Sequence, residues 1–145
     1  MVRILTVIGL VIIMSGCAAS AQTGKNVRSS DPGQAMNKNW QWESTVTPVE
    51  RIRVTTPGRY SLLLGADGKA KIQFDCNRGG GEYQIANGKL SFGPLFSTRR
   101  ACPEDSLSSP YMRDLQRVVS FFVENGQLYL ELPYDSGTMR FREVR

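Results

Sequence analysis

The sequence contains no histidine. That absence excludes Ser-His-Asp and Cys-His catalysis, His-liganded zinc and the HExxH helix of metalloproteases. Cysteine is scarce, with three in 145 residues and none in the CxxC spacing of thiol–disulfide oxidoreductases. No apolar run approaches the roughly 20 residues that a membrane-spanning helix needs; the run over residues 4–14 has eleven. There is no internal repeat, no basic helix and no sequence interleaving of arginine with aromatic residues. The formal net charge of +5 is therefore not read as nucleic-acid binding. A chain of this length, 41% hydrophobic, suits one domain and not two.

What is present begins with an export signal. Arg3 supplies a basic n-region, residues 4–14 an apolar h-region, and Ser15-Gly16 small residues leading into Cys17. A buried core helix is the alternative, but the run has no polar face and sits at the extreme N-terminus. The segment resembles a bacterial lipobox, with Met14 where leucine is more usual. That resemblance implies removal of residues 1–16 as a lipoprotein signal peptide and lipidation of Cys17. Ordinary secretion, with cleavage after Ala19 or Ala21, stays open. Several acyl chains, each contributing about 0.8 kcal/mol per buried CH₂, anchor a protein far better than one. Ala18 in place of Asp implies, by analogy with bacterial lipoproteins, delivery to the outer membrane with the protein facing the periplasm.

Loss of residues 1–16 removes only Arg3, which leaves a net charge of +4. Half of this excess lies in residues 18–39, where Lys25, Arg28 and Lys38 face Asp31. This stretch has almost no large apolar residue and cannot offset its ordering entropy, so residues 17–39 are expected to form a flexible tether from Cys17. Its reach would be on the order of 25 Å, with its charge toward anionic lipid. Residues 40–145, with fourteen Lys/Arg against twelve Asp/Glu, form the expected domain. With Cys17 taken by lipid, Cys76 and Cys102 remain, and an even pair in an oxidising compartment favours a disulfide. Closing that loop is worth about 3.5 kcal/mol on the chain-entropy model. Two separate buried thiols are the alternative.

From Trp40 onward the chain is patterned as antiparallel β structure. Trp40 and Trp42 share one strand face. Arg51 and Arg53 alternate with Ile52 and Val54 before Pro57-Gly58. Tyr60, Leu62 and Leu64 alternate toward a turn at residues 65–68, and Ala70, Ile72 and Phe74 return on one face. Asn87-Gly88 suits a two-residue type I′ turn, because both central positions need positive φ. It would pair Ile85 with Leu90 and Tyr83 with Phe92. Asn125-Gly126 repeats the arrangement, setting Val123 against Leu128 and Phe121 against Leu130. A third hairpin around Asp135-Ser136-Gly137 returns through Met139 and Phe141, with Arg140 and Arg142 outward.

One helix interrupts the strands, with Ser109 as its cap, Pro110 at its first position and Met112, Leu115 and Val119 as its core stripe. The fold class is mainly β: seven or eight antiparallel strands in a curled sheet or small β-barrel with one short α-helix. Curling is favoured because a flat sheet of this size leaves exposed edges.

The segment around Cys76 resembles the META domain, the HslJ-like family of small bacterial envelope proteins. The matching residues begin with Tyr60-Ser61-Leu62 and Asp67-Gly68, then Cys76-Asn77 and residues 79–83. They continue through Leu90-Ser91-Phe92-Gly93, Thr98, Ala101-Cys102-Pro103, Leu115 and Leu128-Tyr129-Leu130. The resemblance covers residues 40–141. Two departures stand out: Asp75 replaces a small residue before Cys-Asn, and Ser-Ser-Pro replaces an acidic residue before the helix. The resemblance implies a β-barrel-like fold with one helix and an association with envelope stress tolerance. It carries over no catalytic residue, no metal ligand and no cofactor.

Two clusters are candidate binding residues. Asn77, Arg78, Gly79, Gly80 and Gly81 can form a nest of backbone N–H groups for an anion, against a simpler bulge or turn at the Cys76 bridge. Arg99 and Arg100 can place two guanidinium groups beside it, against a solvated surface pair. Glu104-Asp105 and the pair Asp75 and Glu82 do not stand out from solvated surface charge as a carboxylate dyad. The expectation is a non-enzymatic, lipid-anchored module that binds an envelope protein or ligand under stress. One alternative is a small-ligand barrel with its site among Tyr60, Phe74, Tyr83 and Phe92, which an apolar cavity of several hundred cubic ångströms would support. Another is a lysozyme inhibitor, although a domain at +2 gains no long-range attraction to a basic enzyme.

Overall fold

The computed structural model describes residues 27–144; the expected signal peptide and the expected lipidation site Cys17 lie outside them. Ten strands form one antiparallel sheet: β1 (Asn39–Val46), β2 (Arg51–Arg53), β3 (Tyr60–Leu64), β4 (Lys69–Phe74), β5 (Asn77–Ala86), β6 (Lys89–Phe92), β7 (Phe96–Ser97), β8 (Ser120–Glu124), β9 (Gln127–Glu131) and β10 (Thr138–Val144). Eight of them close into a barrel in the order β1-β3-β4-β5-β6-β8-β9-β10, because β10 pairs back onto β1. The short strands β2 and β7 add to β1 and β5 from outside this ring. Two helices, α1 (Pro32–Ala35) and α2 (Ser108–Leu115), complete the fold.

The alternation read from the sequence sets the strand faces. Trp40, Trp42, Tyr60, Leu62, Leu64, Ala70, Ile72 and Phe74 are all buried inside. The Asn87-Gly88 and Asn125-Gly126 turns both have positive φ at their two central residues. Ile85 faces Leu90, Tyr83 faces Phe92, Val123 faces Leu128 and Phe121 faces Leu130, as the turns require. The interior is filled by side chains. Trp42 stacks on Tyr111 at 4.7 Å, and Tyr60 meets both rings edge-on. Tyr60, Phe74 and Tyr83 are buried parts of this core, and five depressions among the described residues open to solvent. Tyr60 and Phe74, expected to line an internal ligand site with Tyr83 and Phe92, are packed into the core instead.

Helix α2 corrects the expected cap and stripe. It begins at Ser108 after Leu107, so Ser109 does not cap it and Pro110 is its third residue. Proline is tolerated there because the first four helical N–H groups have no partner within the helix. Tyr60 and Ser106 supply oxygens instead: the Leu107 N–H donates to the Tyr60 hydroxyl at 2.8 Å and the Ser108 N–H to the Ser106 hydroxyl at 3.3 Å. The helix ends at Leu115, so the heptad phase does not carry on to Val119, which is exposed, whereas Val118 is buried. Tyr111 and Leu115 form the buried stripe.

The expected tether is also corrected over residues 27–39. Ser29 exchanges two backbone hydrogen bonds with Val123 at 2.9 and 2.7 Å, beside the seam where β6 and β8 share a single residue pair. Asp31 caps α1 by accepting from the Gly33 N–H at 2.9 Å. Ala35 is fully buried, and its carbonyl accepts from the Trp40 indole at 2.7 Å. Small polar residues suffice because this strap completes an existing edge and needs no core of its own.

The strap, α1 and the turns at residues 65–68, 87–88 and 125–126 gather at one end of the barrel, together with Val144 beside Asn39. The β1–β2 turn, the β4–β5 connection and residues 132–137 form the other.

Tyr111 carries a cost within this core. Its hydroxyl is buried without a hydrogen-bond partner, and burial holds its pKa well above the usual phenol value. Tyr111→Phe should keep the stack on Trp42 and raise stability by about 1 kcal/mol in chemical denaturation. A loss of stability would contradict the unpaired hydroxyl.

Candidate functional site

The β4–β5 connection has only two residues, Asp75 and Cys76. Asp75 has φ 63°, a conformation that Asp and Asn enter more readily than most residues. The aspartate that departs from the family pattern thus fits the backbone it occupies. Its carboxylate is held by Arg59, which stands in the 3-10 turn Pro57–Arg59. Pairing of Tyr60 with Phe74 brings the two together, and the Asp75 N–H donates to the Arg59 carbonyl at 2.6 Å. The Arg59 Nε and one terminal nitrogen then donate to the two Asp75 oxygens. Arg59 also reaches Asp105 at 3.1 Å, a pair that contributes little because Asp105 is mostly exposed. The guanidinium hydrogen bonds hold the Asp75 carboxyl below the usual carboxylate range against the opposing effect of burial, and raise the pKa of Arg59.

Cys76 is joined to Cys102, with the two Cα atoms 5.5 Å apart. The pair is therefore a disulfide and not two separate thiols. Asn77, the first residue of β5, binds the loop that this bridge pulls in. Its Oδ1 accepts from the Thr98 hydroxyl at 2.9 Å and the Arg100 N–H at 2.7 Å, while its Nδ2 donates to the Arg100 carbonyl at 3.1 Å. The Thr98 N–H donates to the Arg78 carbonyl at 2.9 Å. Asn77 is buried and its side chain is occupied in holding this loop.

Neither the candidate anion nest nor the simpler bulge or turn is formed by the glycines. Gly79, Gly80 and Gly81 lie in β5 without positive φ, extended between β4 on one side and residues 94–97 on the other. Their role is close backbone approach. A Cβ at Gly79 would stand 1.9 Å from the Phe96 carbonyl oxygen, and one at Gly80 would stand 2.2 Å from that of Ala70.

Arg78 and Arg100 line an open depression of about 380 Å³ with Gln73, Asp75, Cys76 and Thr98. Arg99 is exposed and does not line it. Asn77, Gly79 and Gly80 thus build the site's frame, and the arginines form its surface. Sequence reasoning missed Arg59, because its partner is sixteen residues away and strand register brings them together. It also missed Asp114, buried in α2 beside Arg113 at 2.9 Å. Among the described residues, no helix is long and apolar enough to cross a membrane. Nor do they contain a group of three or more His, Cys, Asp or Glu placed to hold a metal ion.

The sign of the Asp75 shift sets a pH dependence. Its folded-state pKa lies below the unfolded value of about 3.9. The stabilisation is complete above the unfolded value and is lost as pH falls through the folded one. Asp75→Asn should cost about 2 kcal/mol at neutral pH, between the values for exposed and buried pairs, and should flatten the acid limb of stability below about pH 4. An acid limb unchanged by the substitution would overturn this assignment.

Two of three comparisons place this chain among known proteins. A search of curated proteins finds no match. Two solution structures match at TM-scores of 0.65 and 0.59. The first is a protein from Burkholderia xenovorans, 24% identical, covering 77% of this chain and 85% of its own. The second is 23% identical, covering 77% and 93%. A crystal structure of a DUF4847 family protein from Bacteroides vulgatus matches at a TM-score of 0.56 with 10% identity, covering 74% and 93%. These likenesses are of fold. The META domain family model matches residues 34–144, a span that takes in the whole barrel and the last two residues of α1, and the chain therefore belongs to the META domain family.

Proposed function

We propose that this protein is a non-enzymatic, lipid-anchored module of the cell envelope that holds a rigid binding end toward the periplasm under stress. The observation that carries this reading is the polarity of the barrel. Chain entry and exit share one end, while the disulfide, the Arg59–Asp75 pair and the pinned loop bearing Arg99 and Arg100 occupy the other. Only nine residues separate Cys17 from Val27, so an acylated Cys17 would lie within about 36 Å of the strap. The barrel would hang with its stapled end away from the outer membrane.

At that end Tyr134 is 99% exposed at φ 57° and Val49 is 95% exposed. A bulky residue in the left-handed region costs on the order of 1 kcal/mol or more, and such strain gathers at working surfaces. Three buried polar side chains serve structural partners: Asp75 binds Arg59, Asp114 binds Arg113 through one of its oxygens and Asn77 binds the loop. That distribution favours binding over chemistry.

In a bacterial host, the full chain should fractionate with the outer membrane and carry the mass of acyl chains at Cys17, and Cys17→Ser should release it. An unmodified soluble product from the unaltered chain would overturn the anchor. Crosslinking in intact cells should lose its captured partner on Arg99→Glu with Arg100→Glu at unchanged melting temperature. Persistent capture with lowered stability would remove these arginines from the binding surface.

A further inference from the structure

The outer face of the barrel carries a feature that the linear sequence does not show. The β1–β10 register slips between Trp42 and Ser44. Trp42 and Thr45 are both fully buried, so the extra residue turns Glu43 and Ser44 together to the outside. At the same point β1 exchanges β3 for β2 as its neighbour. The result is a row of outward residues in register across five strands: Arg53, Ser44, Arg140, Tyr129 and Phe122.

The aromatic end of the row is fixed. Tyr129 and Phe122 stack at 4.6 Å with their planes 5° apart. Arg28 of the strap covers the other face of Phe122 at 3.5 Å and is held there by Glu131 at 2.6 Å. Tyr129 thus has one face covered, and it lines the largest of the described depressions, about 550 Å³, with Glu43, Ser44, Arg51, Arg53, Thr138 and Arg140. The basic end is short of carboxylates. Glu43 lies 3.1 Å from Arg140 and 3.7 Å from Arg142, whereas Arg51 and Arg53 have no ion-pair partner among the described residues.

We propose that this groove binds a small ligand made of a phosphate group on a ring. Guanidinium groups from β2 and β10, two strands apart and so roughly 10 Å apart at the backbone, have side chains long enough to meet on one phosphate between them. The Ser44 and Thr138 hydroxyls add donors. Tyr129, braced by Phe122 and Arg28, offers a rigid wall against which a sugar or base ring can lie. A volume of about 550 Å³ falls in the range of small-molecule sites. The site shares no residue with the cluster of Asn77, Arg78, Arg99 and Arg100.

Calorimetric titration of the full chain tests this with four probes: pyrophosphate, glucose 1-phosphate, adenosine monophosphate and glucose. The phosphate-bearing probes should bind, more weakly as salt rises, and glucose should not. Arg51→Gln with Arg53→Gln removes no ion pair, so the fold should persist while phosphate affinity drops about tenfold or more. Tyr129→Leu should weaken the better ring-bearing probe several-fold and leave pyrophosphate within about twofold. Whichever of the sugar phosphate or the nucleotide binds more tightly identifies the ring. Failure of pyrophosphate to bind, affinity unchanged by the arginine substitutions, or glucose binding as well as its phosphate would each overturn the proposal.

Discussion

Closure of the sheet depends on β1. It pairs with β10 along nearly its whole length, and its other edge passes from β3 to β2 at the Glu43 bulge. This strand alone satisfies both ends of the sheet, which leaves the barrel without a long open edge on that side. It also delivers Trp40 and Trp42 to the interior, where Trp42 joins Tyr60 and Tyr111 in one aromatic cluster. Ring closure and core packing are therefore two consequences of one strand, and helix α2 is held over the barrel because Tyr111 enters that cluster.

The opposite side of the ring is closed less firmly. Strands β6 and β8 share a single residue pair, and the strap continues the closure through Ser29. A segment of small polar residues without a hydrophobic stripe becomes ordered there because the β8 edge offers it backbone partners. Its arginine then covers Phe122, an outward aromatic residue that would otherwise be exposed. The strap links barrel closure to the outer face, and the outer face carries the Arg and aromatic row.

At the stapled end, local chemistry and long-range register reinforce each other. A two-residue connection requires positive φ at Asp75, the aspartate adopts it, and its carboxylate takes the arginine that strand pairing sets beside it. The disulfide and Asn77 then hold the loop over residues 98–102 against β5. Rigidity at this end arises from several polar contacts that share residues, so ordering one lowers the entropic cost of the next.

Much of the fold was legible in the chain. Two-residue alternation assigned strand faces, and the Asn-Gly pairs fixed hairpin register because few other sequences accept two consecutive positive φ values. The Cys76–Cys102 disulfide agrees with the favoured of the two readings of that pair. The family was legible from motifs around Cys76. The helix start was misplaced by a residue or two because Tyr60, far away in sequence, fixes Leu107 just before it. The glycine run suggested a nest, but crowding by Phe96 and Ala70 is the reason for it. By itself the sequence determined which faces are apolar and where hairpins turn, since these depend on neighbours in the chain. Only the tertiary structure decided that Arg59 meets Asp75, that residues 28–39 fold onto the barrel, and that Arg53, Arg140 and Tyr129 share a row. Each of those depends on register between strands, which sequence spacing does not encode.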